Sequence, residues 1–206
     1  GMYALNMLHI ALELARENEV GTVLLASTNA VVGAGSAPGE VITERTVLRP
    51  LTPYGATKAA AEMLLGSYAN CYGITGAALR FSNVYGPGMG ETDSFIPRLM
   101  RAARDGEGDQ VRGDGTMLRD VVHVDDIVQG ILAAWQGRHN GPLILGSGSS
   151  VTVNEMVTTA RKVTGAPIPA ENVPVGSGEM PAVVLDIAAA TALGYRPAYE
   201  DRKSVV

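Results

Sequence analysis

A tyrosine and a lysine that stand four residues apart could together carry out proton transfer. Tyr54 and Lys58 lie at the start of an Ala-rich run, 53–62, that is typical of a helix. On a helix this spacing places both side chains on one face, about one turn apart. A neighbouring ammonium favours the phenolate, so such a tyrosine could take a proton from an alcohol while hydride leaves the carbon. The alternative is a surface tyrosine beside a solvated lysine.

Apolar runs and helical segments that alternate along the chain would have to position this pair. The helical segments are 3–18, 54–72, 94–104, 125–135 and 152–163, and the last opens with a Thr-x-x-Glu capping box. The runs typical of strands are 22–26, 77–81, 110–112, 121–124, 143–145 and 183–185. Residues 33–53 are rich in Gly, Pro, Thr and Glu and are predicted to form a loop. The order strand, helix, strand over 22–81 predicts a right-handed parallel crossover.

Polar side chains follow two of the predicted strands at the points where the strands end. Ser27, Thr28 and Asn29 follow the first strand, and Ser82 and Asn83 follow the second. In open parallel sheets, ligands bind outside the carboxyl ends of the strands. The sequence therefore places a candidate ligand site at this edge of the sheet, where Thr28 could alternatively only cap the strand end, and Asn83 could be a plain turn residue.

Composition narrows the partners that the protein could bind. The net charge is −5 without a basic cluster, which argues against nucleic acid or an anionic membrane as the main partner. No apolar run reaches the length of a membrane span. The lone Cys71 excludes an internal disulfide framework and a Cys-based zinc site, and it suits a reducing cytoplasm.

Histidine and aspartate side chains can bind metal ions, but the sequence around those in 123–126 favours structural roles for them. His123 lies within an apolar run and is better explained as a packed core histidine than as a ligand. Asp125 and Asp126 are better explained as the acidic start of a helix, which the macrodipole favours, than as a metal site. We therefore predict no metal site.

Longer blocks extend the Tyr54–Lys58 motif into a family pattern. They read ASTNAVVG at 26–33, PYGATK at 53–58, LRFSNVYGPG at 79–88 and GDGTMLRDVVHVDD at 113–126, with LGSG at 145–148 and LGYRP at 193–197. In their order and spacing they resemble the extended short-chain dehydrogenase/reductases, specifically the nucleotide-sugar epimerase/dehydratase family. The resemblance spans nearly the whole chain.

The resemblance implies roles for individual residues and a nicotinamide cofactor, NAD or NADP. Thr28, Tyr54 and Lys58 would be catalytic, and Tyr54, Lys58 and Phe81 would contact the cofactor. The residues that would bind the nucleotide-sugar substrate are Thr28, Asn83, Gln110, Arg112 and Arg119. Arginine suits a diphosphate because its planar fork can pair two oxygens at once, although Arg119 could instead form a local salt bridge with Asp120.

Three departures from the family pattern modify these expectations. No Gly-x-Gly-x-x-Gly turn follows a strand in this sequence, so we expect this chain alone to bind NAD weakly or not at all and to expose a free strand edge at 22–26. Asn29 and Ala30 stand where the family's 4,6-dehydratases carry Asp-Glu, which argues against dehydration. Gly176 stands where many members have a second diphosphate-binding arginine. The loss of this arginine would weaken the binding of phosphate or change the substrate.

The expected fold is α/β, a partial doubly wound, Rossmann-like parallel sheet with a smaller C-terminal α/β substrate domain. Residues 1–90 would form the C-terminal part of the dinucleotide-binding domain and 91–206 mainly the substrate-binding domain, with some segments returning to the main sheet. The expected function is that of a nucleotide-sugar epimerase, which oxidises a sugar to a keto intermediate and re-reduces it with bound NAD. A nucleotide-sugar ketoreductase and a non-catalytic, partner-binding protein are the alternatives. The resemblance also implies a homodimer formed through helices 4–18 and 54–72, and a cytoplasmic location.

Overall fold

Helices and strands alternate along the chain in a computed structural model that describes residues 2–37, 39–176, 178–180 and 182–199, without the side chain of Met2. The α-helices are α1 (Met2–Glu17), α2 (Pro53–Tyr72), α3 (Phe95–Asp105), α4 (Val124–Gln136), α5 (Val153–Thr164) and α6 (Ala188–Ala192). The strands are β1 (Thr22–Thr28), β2 (Val41–Ile42), β3 (Thr75–Phe81), β4 (Asn83–Tyr85), β5 (Asp109–Arg112), β6 (Leu118–His123), β7 (Gly141–Leu145), β8 (Ser150–Thr152), β9 (Ala170–Val173) and β10 (Val184–Leu185).

The main sheet is parallel and has the order β1-β3-β7, so its third strand comes from the second half of the chain. Its register aligns the strand ends, because Thr28 of β1 pairs with Phe81 of β3, which in turn pairs with Leu145 of β7. The expected α/β class and parallel crossover are confirmed. Within the described ranges β1 pairs only with β3, so its other edge is free, as the sequence predicts.

Helix α2 starts and ends where its local sequence dictates. The Thr52 hydroxyl accepts a hydrogen bond from Gly55 N at 3.1 Å, and Pro53 occupies the first turn, where its missing N–H costs nothing. The helix ends at Gly73, whose φ of 71° is left-handed and therefore favours glycine. The buried side chains of Leu12 and Leu65 belong to one cluster that packs α1 and α2 against the sheet. This packing fixes the position of the helix that carries Tyr54 and Lys58.

Apart from β7, residues 83–173 form two smaller sheets and a helical layer. Strands β4 and β6 pair in parallel and β8 joins β6 antiparallel, while β5 pairs with β9. Helices α3 and α5 enclose a core that includes Leu99, Val111, Val157 and Ile168. The capping box at Thr152 and Glu155 is present as predicted. The division at residue 90 stays a prediction, and Gly1 and residues 200–206 of the two expected domains lie outside the described residues.

Four short strands lie outside the runs that the sequence predicts as strands. Residues 41–42 lie inside the predicted loop, yet they form β2 and pair with β10. Strands β4, β8 and β9 also lie outside the predicted runs, and β9 carries the polar sequence AENV. These strands contain two to four residues and depend on partners that are distant in sequence, so no periodicity marks them. In the described part of the chain no helix combines the length and apolar character needed to cross a membrane.

Candidate functional site

Tyr54 and Lys58 lie on the first two turns of α2, beside the carboxyl end of β1. The Lys58 ammonium donates a hydrogen bond to the Ala26 carbonyl at 2.7 Å, so its charge is held at the strand end. The Tyr54 side chain is more than half exposed, and its hydroxyl has no hydrogen-bond partner among the described residues. The structure thus presents a phenol available to a ligand next to a lysine with a fixed position.

Thr28 is the last residue of β1 and lies next to Phe81 on the neighbouring strand. Its hydroxyl oxygen accepts a hydrogen bond from Ala30 N at 3.2 Å and thereby caps the 3₁₀ turn over Asn29–Val31. The capping role considered from the sequence is therefore present. A hydroxyl oxygen has a second lone pair and a rotatable proton, so capping leaves Thr28 able to contact a ligand at this edge.

A buried ionic network beneath Lys58 holds α2 against the sheet. Glu62, one helical turn after Lys58, accepts hydrogen bonds from Arg80 Nη2 at 2.7 Å and from Ser27 Oγ at 2.5 Å. Arg80 also donates to the Glu44 carbonyl, and the Glu44 carboxylate accepts from Ile144 N at 3.0 Å. Sequence reasoning did not single out these residues, although the spacing of Tyr54, Lys58 and Glu62 at four-residue intervals was a usable signal. The network joins the helix to all three strands of the main sheet.

A cleft of about 610 Å³ opens between Tyr54 at the start of α2 and a wall formed by residues of 82–121, 153–156 and Glu179. Five residues predicted to contact substrate or cofactor line it, namely Tyr54, Asn83, Gln110, Arg112 and Arg119. Three further predicted residues do not line it, namely Thr28, Lys58 and Phe81. Those three belong to the neighbouring strand ends and to α2. The structure therefore separates the predicted site into a cleft and an adjoining sheet edge, with Tyr54 at the cleft wall.

Asn83 and the adjacent Ser82 tie β4 to β6 at the floor of the cleft. Asn83 Nδ2 and Ser82 Oγ both donate to the Asp120 carbonyl, at 2.8 and 2.6 Å. The Asp120 carboxylate is fully buried and accepts hydrogen bonds from the backbone of Ser147 and Gly148. Burial raises the pKa of Asp120, although these hydrogen bonds oppose the shift. Asp120 therefore anchors the loop after β7, and Asn83 occupies a strand rather than a plain turn.

Arg112 and Arg119 both contact Glu179, which is distant in sequence. Arg112 Nη1 lies 2.6 Å from Glu179 Oε1, and Arg119 Nη2 lies 3.2 Å from Glu179 Oε2. Burial lowers the pKa of Arg119, and the Glu179 carboxylate opposes this shift. The alternative that Arg119 pairs with Asp120 is wrong, because Asp120 points to the loop after β7. The cleft thus contains two converging guanidinium groups, a feature suited to phosphate.

His123 and the two aspartates after it have structural partners. The His123 ring is buried and stacks on Tyr199 with ring centroids 3.9 Å apart. Its Nδ1 accepts a hydrogen bond from Asp125 N, and the buried Asp126 accepts from the backbone of Ala198. The expected roles as core histidine and helix start are confirmed. Across the described ranges, no group of three or more His, Cys, Asp or Glu side chains could hold a metal ion.

Comparison with known proteins gives a consistent result for most of the chain. Residues 3–146 match the model of the family described as "NAD dependent epimerase/dehydratase family". The UDP-glucose 4-epimerase of Corynebacterium glutamicum is 31% identical over 214 residues, an alignment that covers 95% of this chain and 64% of that protein.

Two solved structures are similar in fold as well as in sequence. The structure of MoeE5 in complex with UDP-glucuronic acid and NAD has a TM-score of 0.86 at 36% identity and covers 94% of this chain and 65% of that one. The UDP-glucose 4-epimerase of Thermotoga maritima with UDP-glucose has a TM-score of 0.90 at 27% identity, covering 96% and 65%. The chain therefore spans just under two thirds of the length of these relatives.

Proposed function

Because the chain belongs to the NAD dependent epimerase/dehydratase family, we propose that it supplies the proton-transfer and substrate-binding residues of a nucleotide-sugar 4-epimerase. The observation that carries the proposal is the cleft, whose lining includes Tyr54, with a hydroxyl that bonds to none of the described residues, and the guanidinium groups of Arg112 and Arg119. A proton-transfer group and an anion-binding pair in one cleft suit a substrate that joins a sugar to a diphosphate. The 4-epimerases similar to this chain are named for UDP-sugars, so a UDP-hexose is the proposed substrate.

The residues at the sheet edge fit the nicotinamide end of NAD or NADP. Lys58 uses one of its ammonium protons on the Ala26 carbonyl, which leaves donors for a ribose, and Phe81 provides an apolar surface at the adjacent strand end. Tyr54, Lys58 and Phe81 would therefore hold this end of the cofactor. When bound, the cofactor would accept hydride from the sugar carbon and return it.

The chain's own residues would handle the proton and the orientation of the sugar. Tyr54 would take the proton from the sugar hydroxyl during oxidation and return it after reduction, while Lys58 stabilises the phenolate. Thr28 would hydrogen-bond the reacting oxygen. Asn29 and Ala30 follow Thr28 and form a short turn, so neither supplies a carboxyl group for the loss of water. Epimerisation is therefore proposed rather than dehydration.

The test is the interconversion of UDP-glucose and UDP-galactose with added NAD, followed by anion-exchange chromatography. Tyr54→Phe should lower turnover by at least about a hundredfold, because a positioned acid–base group contributes this much or more. Binding of UDP should stay unchanged. Tyr72→Phe is the matched control, since Tyr72 is exposed at the far end of the same helix.

The outcomes separate this function from its alternatives. Turnover retained in Tyr54→Phe would overturn the assignment of the proton-transfer residue. UDP-sugar binding without turnover, in a parent chain that binds the added NAD by calorimetry, would favour the non-catalytic alternative. Reduction of an added UDP-4-keto sugar by added NADH or NADPH, without epimerisation of UDP-glucose, would favour the ketoreductase.

The exposed face of α1 supports assembly with a second copy of the chain. Tyr3, Met7, Ile10 and Leu14 recur at helical spacing, and each is at least half exposed. An apolar stripe of this kind gains from burial against an identical stripe around a two-fold axis. We propose a homodimer through α1 and α2, for which light scattering after size exclusion should give twice the chain mass. Ile10→Glu should give the mass of a single chain.

A further inference from the structure

Two guanidinium groups in the cleft share a single carboxylate. Arg112 and Arg119 contact different oxygens of Glu179, so the carboxylate bridges them. We propose that Glu179 is a resident counter-ion of the arginine pair, whose place the diphosphate of a nucleotide sugar takes on binding. The proposal rests on the proposed function, because it names the residue that sets the anion affinity of the same cleft.

The hydrogen bonds that Glu179 forms with Arg112 and Arg119 allow an anion to replace its carboxylate. Arg112 uses only Nη1 for Glu179, and its Nε and Nη2 have no partner among the described residues. Arg119 is held more firmly, because its Nη1 also donates to the Leu118 carbonyl at 2.8 Å. The Arg112 side chain is half exposed, and an ion pair with such a partner contributes little net stability. An incoming phosphate group can therefore replace the carboxylate at Arg112 at low cost, while the less exposed Arg119 side chain stays in place.

Gly176 contributes to the position of Arg112. A Cβ atom on Gly176 would lie 3.1 Å from Arg112 Nη1, which is closer than ordinary van der Waals contact. The absence of a side chain at position 176 thus gives the Arg112 guanidinium its space beside Glu179. Although glycine at position 176 predicts weaker binding of phosphate, Arg112 of β5 places a positive charge at the same position.

The charges of the cleft determine whether neutralising Glu179 strengthens or weakens the binding of anions. The charged residues that line it are three arginines and two acids, namely Arg98, Arg112, Arg119, Asp93 and Glu179. Arg98 is already paired with Asp109 at 3.3 Å. Removing the Glu179 charge would therefore free both remaining guanidiniums for an anion without changing the volume of the cleft. A neutral isostere should strengthen the binding of anions.

The experiment compares UDP binding by isothermal titration calorimetry in the whole chain and in Glu179→Gln. We expect Glu179→Gln to bind UDP about fivefold more tightly or better, which is the lower end of the coupling typically measured between two interacting binding sites. The gain should shrink as ionic strength rises. Glu107→Gln is the matched control, because it removes the same charge from an exposed glutamate outside the cleft, and it should bind UDP like the parent. In an Arg112→Gln background the gain from Glu179→Gln should be smaller.

Each result decides the proposal. Equal or weaker UDP binding by Glu179→Gln, or the same gain with and without Arg112, would overturn the counter-ion and leave the proposed function standing. Tighter binding of inorganic pyrophosphate by Glu179→Gln, with no UDP binding by either protein, would support the counter-ion and overturn the nucleotide-sugar function. Absence of binding by folded proteins to both ligands would overturn both, with folding checked by thermal unfolding.

Discussion

Replacing Arg80 with methionine should destabilise the fold strongly, because it leaves a buried carboxylate without its cation. The side chains of Arg80 and Glu62 are only 4% and 7% exposed, and they form an ion pair at 2.7 Å. Removing one partner of a buried pair typically costs about 3–5 kcal/mol. The hydrogen bond from Ser27 to Glu62 remains in the variant and offsets part of this cost. We therefore expect a loss of about 3 kcal/mol in the free energy of unfolding.

Two companion variants separate the buried charge from lost packing. In Arg80→Met/Glu62→Met both charges are absent, and apolar replacement of a whole buried pair is often neutral. The double variant should therefore be more stable than Arg80→Met alone. Arg104→Met is the matched control, because Arg104 pairs with Asp105 on the surface with side chains 67% and 42% exposed. Its cost should stay within about 1 kcal/mol.

The measurement is urea-induced unfolding followed by circular dichroism, with the free energy taken by linear extrapolation. A cost for Arg80→Met similar to that for Arg104→Met would refute the reasoning, and so would a double variant less stable than Arg80→Met. Since Glu62 lies one turn after Lys58, loosening of this network should also reduce UDP-sugar turnover.

Two further predictions concern single contacts. The buried Tyr195 hydroxyl donates a hydrogen bond to the Gly146 carbonyl at 2.8 Å, and Tyr195→Phe leaves that carbonyl without this donor. The variant should therefore lower the free energy of unfolding, measured in urea, by about 1–3 kcal/mol. An unchanged free energy would contradict this prediction. Hydrogen bonds from Arg16 and then Tyr68 lower the pKa of Glu13 to about 2, so its contribution to stability is present above pH 4.5 and is lost as the pH falls toward 2. Glu13→Gln should flatten the fall in melting temperature over this pH range, and a fall as steep as in the parent would contradict the assignment.

The main sheet and α2 could be predicted because local sequence dictates them. Residues 23–26 and 77–79 are apolar runs with no polar interruption, and α2 has a proline at its start and a glycine just after its end. The match to the family model likewise confirms the resemblance drawn from ordered blocks such as PYGATK. Local signals of this kind involve residues that are close in sequence, so one chain is enough to detect them.

The supporting contacts could not be predicted, because they join residues that are far apart in sequence. The Glu44 carboxylate accepts from Ile144 N across a separation of 100 residues, and it lies in a segment whose composition indicates a loop. Strand β2, two residues long in the same segment, forms only because β10 lies alongside it. No periodicity extends over such distances, and a two-residue strand has no pattern of its own.

The arginine pair shows how a missing residue can mislead sequence reasoning about a site. Gly176 alone suggests a loss of positive charge, since a position-by-position comparison has no way to see a guanidinium that arrives from β5. The structure places Arg112 Nη1 within reach of Glu179, which is 67 residues away, and beside the space that Gly176 leaves. The electrostatic attraction on a phosphate group depends on the number and placement of cations in the cleft, whatever sequence positions supply them. Binding measurements on Arg112 and Glu179 variants are therefore more informative about phosphate recognition than the identity of residue 176.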